Sequence, residues 1–156
     1  MRYYQVVAYS WDHWINKKVS KITGSPYNHV TIRVTTREKK QELFVCPQPS
    51  DTFIDSAVIE RMNGGPLFIG PAHYMSDTMY MTLLEKALWW QQNQPGSILR
   101  AYFHHYIGRH LGMKAPWTCT RLVQEILNSY GMTLDEDFYP GHLLVEYAKT
   151  EVRQCM

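Results

Sequence analysis

The chain has 156 residues, 45% of them hydrophobic, enough for one domain with a sizeable core. Its 16 basic and 14 acidic side chains leave a formal charge of +2 with no long basic run, which gives no argument for a nucleic-acid partner. The cysteines, Cys46, Cys119 and Cys155, are odd in number and widely spaced, a poor disulfide framework.

The start, MRYYQVVAYSW, lacks the apolar run of a signal peptide, and no stretch approaches the length of a transmembrane helix. The expectation is a reduced, cytoplasmic protein whose cysteines are free thiols. Tyr3 to Tyr9 is short and rich in β-formers, so it reads as a strand. Asp12 is placed to cap a helix over about His13 to Ile22, with Trp14, Ile15, Val19 and Ile22 on its apolar side. Gly24 and Pro26 then break the helix.

In HVTIRVT, His29 to Thr35, Val30, Ile32 and Val34 alternate with polar neighbours. That period of two predicts a half-buried strand. After the polar turn TREKK comes ELFVCP, Glu42 to Pro47, and the two segments read as an antiparallel hairpin. Centring it on Arg37 and Glu38 pairs position 29 with 75 − 29 = 46, which is Cys46.

Between Pro49 and Gly65, Phe53, Ala57, Val58 and Met62 suggest a short helix ended by Asn63-Gly64-Gly65. Leu67 to Ile69 reads as a strand closed by Gly70-Pro71. Ser76 is placed to cap a long helix to about Gln92, with Tyr80, Leu83, Leu84, Ala87 and Leu88 as its stripe. Gln94-Pro95-Gly96 stops it, and a further helix is expected from Ile98 to Leu111, ended by Gly112.

The most informative stretch is APWTCTRLVQEILNSYG, Ala115 to Gly131. Pro116 sets the entry, Thr118 is the expected N-cap and Gly131 the stop. Leu122, Val123, Ile126, Leu127 and Tyr130 share one face, and Cys119 joins that face at the helix N-terminus. A last helix is expected over Gly141 to Glu151, after Tyr139-Pro140. No repeat or long linker divides the chain, so residues 1–156 read as a single domain. Its class is α+β, with an antiparallel sheet of four to six strands packed against a central cysteine-bearing helix.

A thiol at a helix N-terminus meets unpaired N–H groups and the positive end of the dipole, and both favour the reactive thiolate. The same N–H groups can hold an oxyanion in acyl transfer. A nucleophilic cysteine also needs a base, and His29, at the head of its strand, is the candidate. A buried free cysteine commonly only packs, so the pairing with His29 carries the reading.

Three segments carry a resemblance. SPYNHVTIRV resembles the "SxxSHVGI"-type strand of the circularly permuted, NlpC-like, papain-related cysteine hydrolases. WTCTRLVQEILNSYG is similar to their cysteine helix, and FYPGHLL to the short segment that follows it. The order, histidine first and cysteine 119 − 29 = 90 residues later, is the permuted order.

The resemblance implies a permuted papain-like fold and thiol hydrolysis of an amide, isopeptide or (thio)ester bond through an acyl-enzyme on Cys119, with His29 as base. Peptide, isopeptide or cell-wall amide substrates would follow. The lipid-acyl branch, similar to lecithin retinol acyltransferase, carries an "NCEHF"-type motif where this chain has TCTRL. The family also holds a polar residue on the strand after the histidine, which orients the imidazole. Here the hairpin register offers Cys46, a poor acceptor. A small register change offers Gln48 instead, and Glu42 stands towards the far end of the hairpin. A Cys46–Cys119 redox pair would lack the CxxC spacing. A non-catalytic binding module on the same fold is the competing class.

Trp117, Tyr27 and Thr120 flank the two reactive residues and are expected to line a substrate cleft. No cofactor is implied, since no Walker-type glycine-rich loop is present. His73, His104, His105 and His110 invite a metal reading. However, His104 and His105 point about 100° apart on a helix, and no carboxylate or cysteine completes a set, so no metal is expected. Trp89, Trp90, Tyr102, Phe103 and Tyr106 read as packing residues.

Overall fold

The computed structural model describes residues 1–10, 14–36, 40–43, 53–55, 67–93, 98–114, 118–134 and 147. They form a mixed helix and strand structure built on a six-stranded antiparallel sheet. Strand β1 (Arg2–Tyr9) is followed by helix α1 (Trp14–Thr23), β2 (His29–Thr35), β3 (Lys40–Leu43) and β4 (Phe53–Asp55). Next come β5 (Leu67–Ile69) and β6 (His73–Met75). Helices α2 (Asp77–Asn93) and α3 (Ile98–Tyr106), a 3-10 turn (Gly108–Leu111) and α4 (Cys119–Ser129) complete the order.

The strands lie in the order β4-β3-β2-β1-β5, with β6 also on β1. The β1–β2 ladder runs from Tyr3↔Thr35 to Tyr9↔His29. The β2–β3 ladder runs from Ile32↔Leu43 to Thr35↔Lys40, so partner numbers sum to 75, the register expected from the sequence. Strands β5 and β6 share the other edge of β1, one after the other, but their registers differ. Val7 pairs with Ile69, a sum of 76, whereas Arg2 pairs with Met75, a sum of 77. One extra residue therefore sits between them, as in a β-bulge. Gly70 and Pro71 accommodate it. The Gly70 N–H donates to the Val6 carbonyl at 2.8 Å, and a Cβ at Gly70 would lie 3.2 Å from that oxygen. Pro71 has no N–H to lose.

One face of the sheet forms the core. Tyr4, Val6 and Ala8 of β1 and Val30, Ile32 and Val34 of β2 pack under Leu122, Val123, Ile126 and Leu127 of α4 and Leu83, Ala87 and Trp90 of α2. Met75, Met132, Leu134 and Tyr147 join them. Burying each of these larger side chains stabilises the fold by about 2 kcal/mol.

Several expectations need correction. Strand β2 is buried on both faces, since His29, Thr31 and Arg33 are buried as well as the apolar set. Alternation reports polarity, not cover, and a central strand with chain over both faces hides its polar side too. Phe53 lies in strand β4, paired with Leu43, instead of in a helix, because β3 offers it an open edge. Strand β6 was not expected, since His73–Met75 is too short to show a period.

Trp14 stands outside the apolar face, 63% exposed, with the Lys18 ammonium 4.9 Å from its ring centroid. On α2 the buried stripe is Leu83, Ala87 and Trp90, whereas Leu88 is 53% exposed. The expected helix over Ile98 to Leu111 is broken at Ile107 into α3 and the 3-10 turn. The expected final helix, the rest of the Pro49–Gly65 segment and the end of the ELFVCP strand lie outside the described residues, apart from the helical Tyr147. Among the described residues, no helix is long and apolar enough to cross a membrane.

Candidate active site

Helix α4 starts where the sequence directs it. Thr118 has extended backbone angles, φ −137° and ψ 173°, and its Oγ1 accepts the Arg121 N–H at 3.4 Å. That is the geometry of an N-cap. The Leu122 N–H reaches the Thr118 carbonyl at 3.1 Å. Cys119 and Thr120 are thus the first two helical residues, whose N–H groups have no acceptor within the helix.

The far end of α4 is tied down as firmly. The Met132 N–H returns to the Leu127 carbonyl at 3.3 Å across Gly131, whose φ of 91° favours glycine. Buried Gln124 donates through Nε2 to the Leu134 carbonyl at 3.0 Å, and Asn128 Oδ1 accepts the Leu134 N–H at 2.9 Å. Tyr130 donates its hydroxyl to the Met79 carbonyl on α2 at 3.0 Å. The helix that carries the thiol is therefore fixed at both ends.

His29 is the first residue of β2, and α4 packs on β2. The approach to the strand is held by two contacts. The Asn28 N–H donates to the Tyr9 carbonyl at 3.2 Å, and Asn28 Nδ2 donates to Ser10 Oγ at 3.2 Å. The His29 ring meets Tyr9, its ladder partner, at 5.2 Å between centroids and 63° between planes. Edge-on packing of this kind restrains the imidazole ring.

The structure brings Cys119 and His29 together. Burial, the largest single influence, pushes the Cys119 thiol up, but the His29 charge together with hydrogen bonds from the His29 side chain, the Val30 backbone and Thr120 outweighs it. The net result is a pKa of about 7, below the ordinary value of 9.0. Cys119 is partly buried as a residue, and the Thr120 hydroxyl lies 4.0 Å from its sulfur. Such a thiol is substantially ionised near neutrality, in contact with a residue able to move a proton.

The remaining expected residues divide. Thr120 is fully buried, so its hydroxyl faces the sulfur and its side chain is not available to a substrate. Tyr27 is half-buried against the core, edge-on to Phe68 at 6.5 Å. Glu42 pairs with Arg33, four residues along β2 from His29, about 13 Å at strand spacing. Cys46, Gln48, Trp117 and Cys155 lie outside the described residues. The register that would set position 46 opposite His29 is observed up to Leu43.

Tyr9, Asn28 and the Val30 backbone are the contributors that sequence reasoning missed. The β1–β2 pairing that assembles them is bridged by a helix, so no turn residue announces its register. Of the histidines weighed as metal ligands, His73 is packed between Tyr4 and Tyr147, with centroids at 5.3 and 6.4 Å. His104 Nε2 donates to the Met113 carbonyl at 2.9 Å. Among the described residues, no three potential ligands converge. No protein-family model matches the chain, and no curated protein shows significant similarity to it.

Proposed function

We propose that the protein is a cysteine hydrolase acting on an amide, isopeptide or (thio)ester carbonyl, with Cys119 as nucleophile and His29 as general base. The observation that carries the reading is the pair itself. A thiol that burial should hold neutral is instead drawn down to about 7 by the histidine beside it. A packing cysteine needs no such partner.

His29 takes the thiol proton, and the thiolate attacks the carbonyl carbon. The main-chain N–H groups of Cys119 and Thr120 stabilise the developing oxyanion. Protonated His29 then passes its proton to the leaving amine, alcohol or thiol. Water, deprotonated by the same imidazole, releases the acid and restores the thiol. Tyr9 restrains the imidazole through these steps by packing. The strand-borne histidine, the later cysteine helix and the antiparallel sheet under it support a permuted papain-like arrangement, in which peptide or cell-wall amides are the substrate class.

Trapping the acyl-enzyme tests the reading. With 4-nitrophenyl acetate, the protein should release a burst of nitrophenolate and carry one acetyl group on Cys119 by mass spectrometry. Cys119→Ala should give neither, and His29→Ala should slow acylation by at least about a hundredfold. Acetylation spread over surface lysines, with no burst, would contradict it and leave a non-catalytic binding module.

A further inference from the structure

Helix α3 and the 3-10 turn behind it carry a run of apolar side chains on the outside. Leu99, Phe103 and Tyr106 recur at helical spacing on one face, and all three are exposed, Leu99 at 77%. Ile107, Leu111 at 69% and Met113 continue the stripe. None of Leu99, Phe103, Tyr106, Ile107, Leu111 and Met113 belongs to the core. The substantial contacts of α3 with described elements are those with the 3-10 turn.

The display is built, not frayed. The Ile107 N–H donates to the Phe103 carbonyl at 2.9 Å, and the Met113 N–H donates to the Gly108 carbonyl at 2.9 Å. His104 closes the unit onto the Met113 carbonyl. Residues 98–114 thus hold one shape while presenting an uncovered apolar ridge.

The charged side chains of the segment itself have one sign. Arg100, Arg109 and Lys114 are exposed there, together with His110. Between Glu85 and Glu125 the sequence contains no acidic residue. Arg100 sits about 100° around the helix from Leu99, at the edge of the stripe. A stripe of Leu, Phe and Ile edged by cations, on a segment whose own sequence has no carboxylate, is complementary to a surface that is apolar inside and anionic outside. Side chains that protrude this far insert into a deformable layer, whereas a protein partner would need a groove to receive them.

We propose that residues 98–114 dock the protein on a bilayer bearing anionic headgroups. Leu99, Phe103, Ile107 and Leu111 enter the acyl boundary, and Arg100, Arg109 and Lys114 meet the lipid phosphates. The docking stands apart from the chemistry at Cys119 and holds whether or not that thiol forms an acyl-enzyme.

Vesicle sedimentation with the full chain tests it. The protein should pellet with phosphatidylcholine vesicles containing phosphatidylglycerol, remain in solution with phosphatidylcholine alone, and be released by salt. Leu99→Ser with Phe103→Ser should weaken binding at least about tenfold, and Arg109→Gln about fivefold. Melting temperature and Cys119 alkylation should be unchanged, and Lys21→Glu on α1 should bind as wild type. Failure to pellet with anionic vesicles at low salt would overturn the proposal, as would binding indifferent to the double substitution. A dimer in solution that the double substitution dissociates, without vesicle binding, would also overturn it and make the ridge a contact between copies.

Discussion

Helices α3 and α4 are both amphipathic, and they use that property in opposite directions. The apolar face of α4 is sealed against β1, β2 and α2, with Leu122, Val123, Ile126 and Leu127 all buried. The stripe of α3 faces solvent. Hydrophobic spacing therefore reports that a face exists, not what covers it. What separates the two is the surrounding chain. Helix α4 packs on β2 and α2 and donates from Tyr130 to the Met79 carbonyl of α2, whereas the substantial contacts of α3 with described elements are those with the turn that follows it.

The largest effect expected from this contrast is on stability. Ile126→Ala should lower the free energy of unfolding by about 2–5 kcal/mol, since it removes a fully buried side chain. Leu99→Ala should stay within about 0.5 kcal/mol of wild type. Urea denaturation of the two variants measures the difference, and equal losses would break the comparison.

Next in size is the tie at the end of α4. Gln124→Ala strips the buried Leu134 carbonyl of one of its donors and should cost about 1–3 kcal/mol. Hydrogen exchange should show faster opening of residues 131–134 before any change in β1. Removing the N-cap is expected to be milder. Thr118→Ala should cost about 1 kcal/mol and loosen the first turn that holds the thiol, so Cys119 alkylation at neutral pH should slow as well. The smallest effect is at the surface. Asp77→Asn removes the Arg2–Asp77 ion pair, and because the Asp77 side chain is almost fully exposed, the loss should stay below about 1 kcal/mol and vanish at high salt.

Much of α4 was legible in the sequence because its signals are local. Thr118, the stripe from Leu122 to Tyr130 and Gly131 each act within a few residues of themselves. The β2–β3 register was legible for the same reason, since a short polar turn fixes the pairing. What escaped depended on distant chain. Burial of Thr31 and Arg33 requires cover over a second face, and no period announces it. The fate of α3 depended on whether any other element would reach it. At the site, Cys119 and His29 were readable from their positions at element ends. The Tyr9 edge contact was not, because it arises from a strand pairing bridged by a helix.

The central claim is that His29 holds Cys119 as a reactive thiolate. The direct test is the pH dependence of Cys119 alkylation by iodoacetamide, with Cys46→Ser and Cys155→Ser as background. A depressed pKa keeps the thiolate as pH falls until its own midpoint is reached. The rate should therefore stay on a plateau at high pH and drop as pH falls through about 7. In His29→Ala, burial remains and its main counterweight is gone, so the midpoint should rise to the ordinary thiol value of 9.0 or above. A wild-type midpoint at or above that ordinary value, unmoved by His29→Ala, would contradict the account.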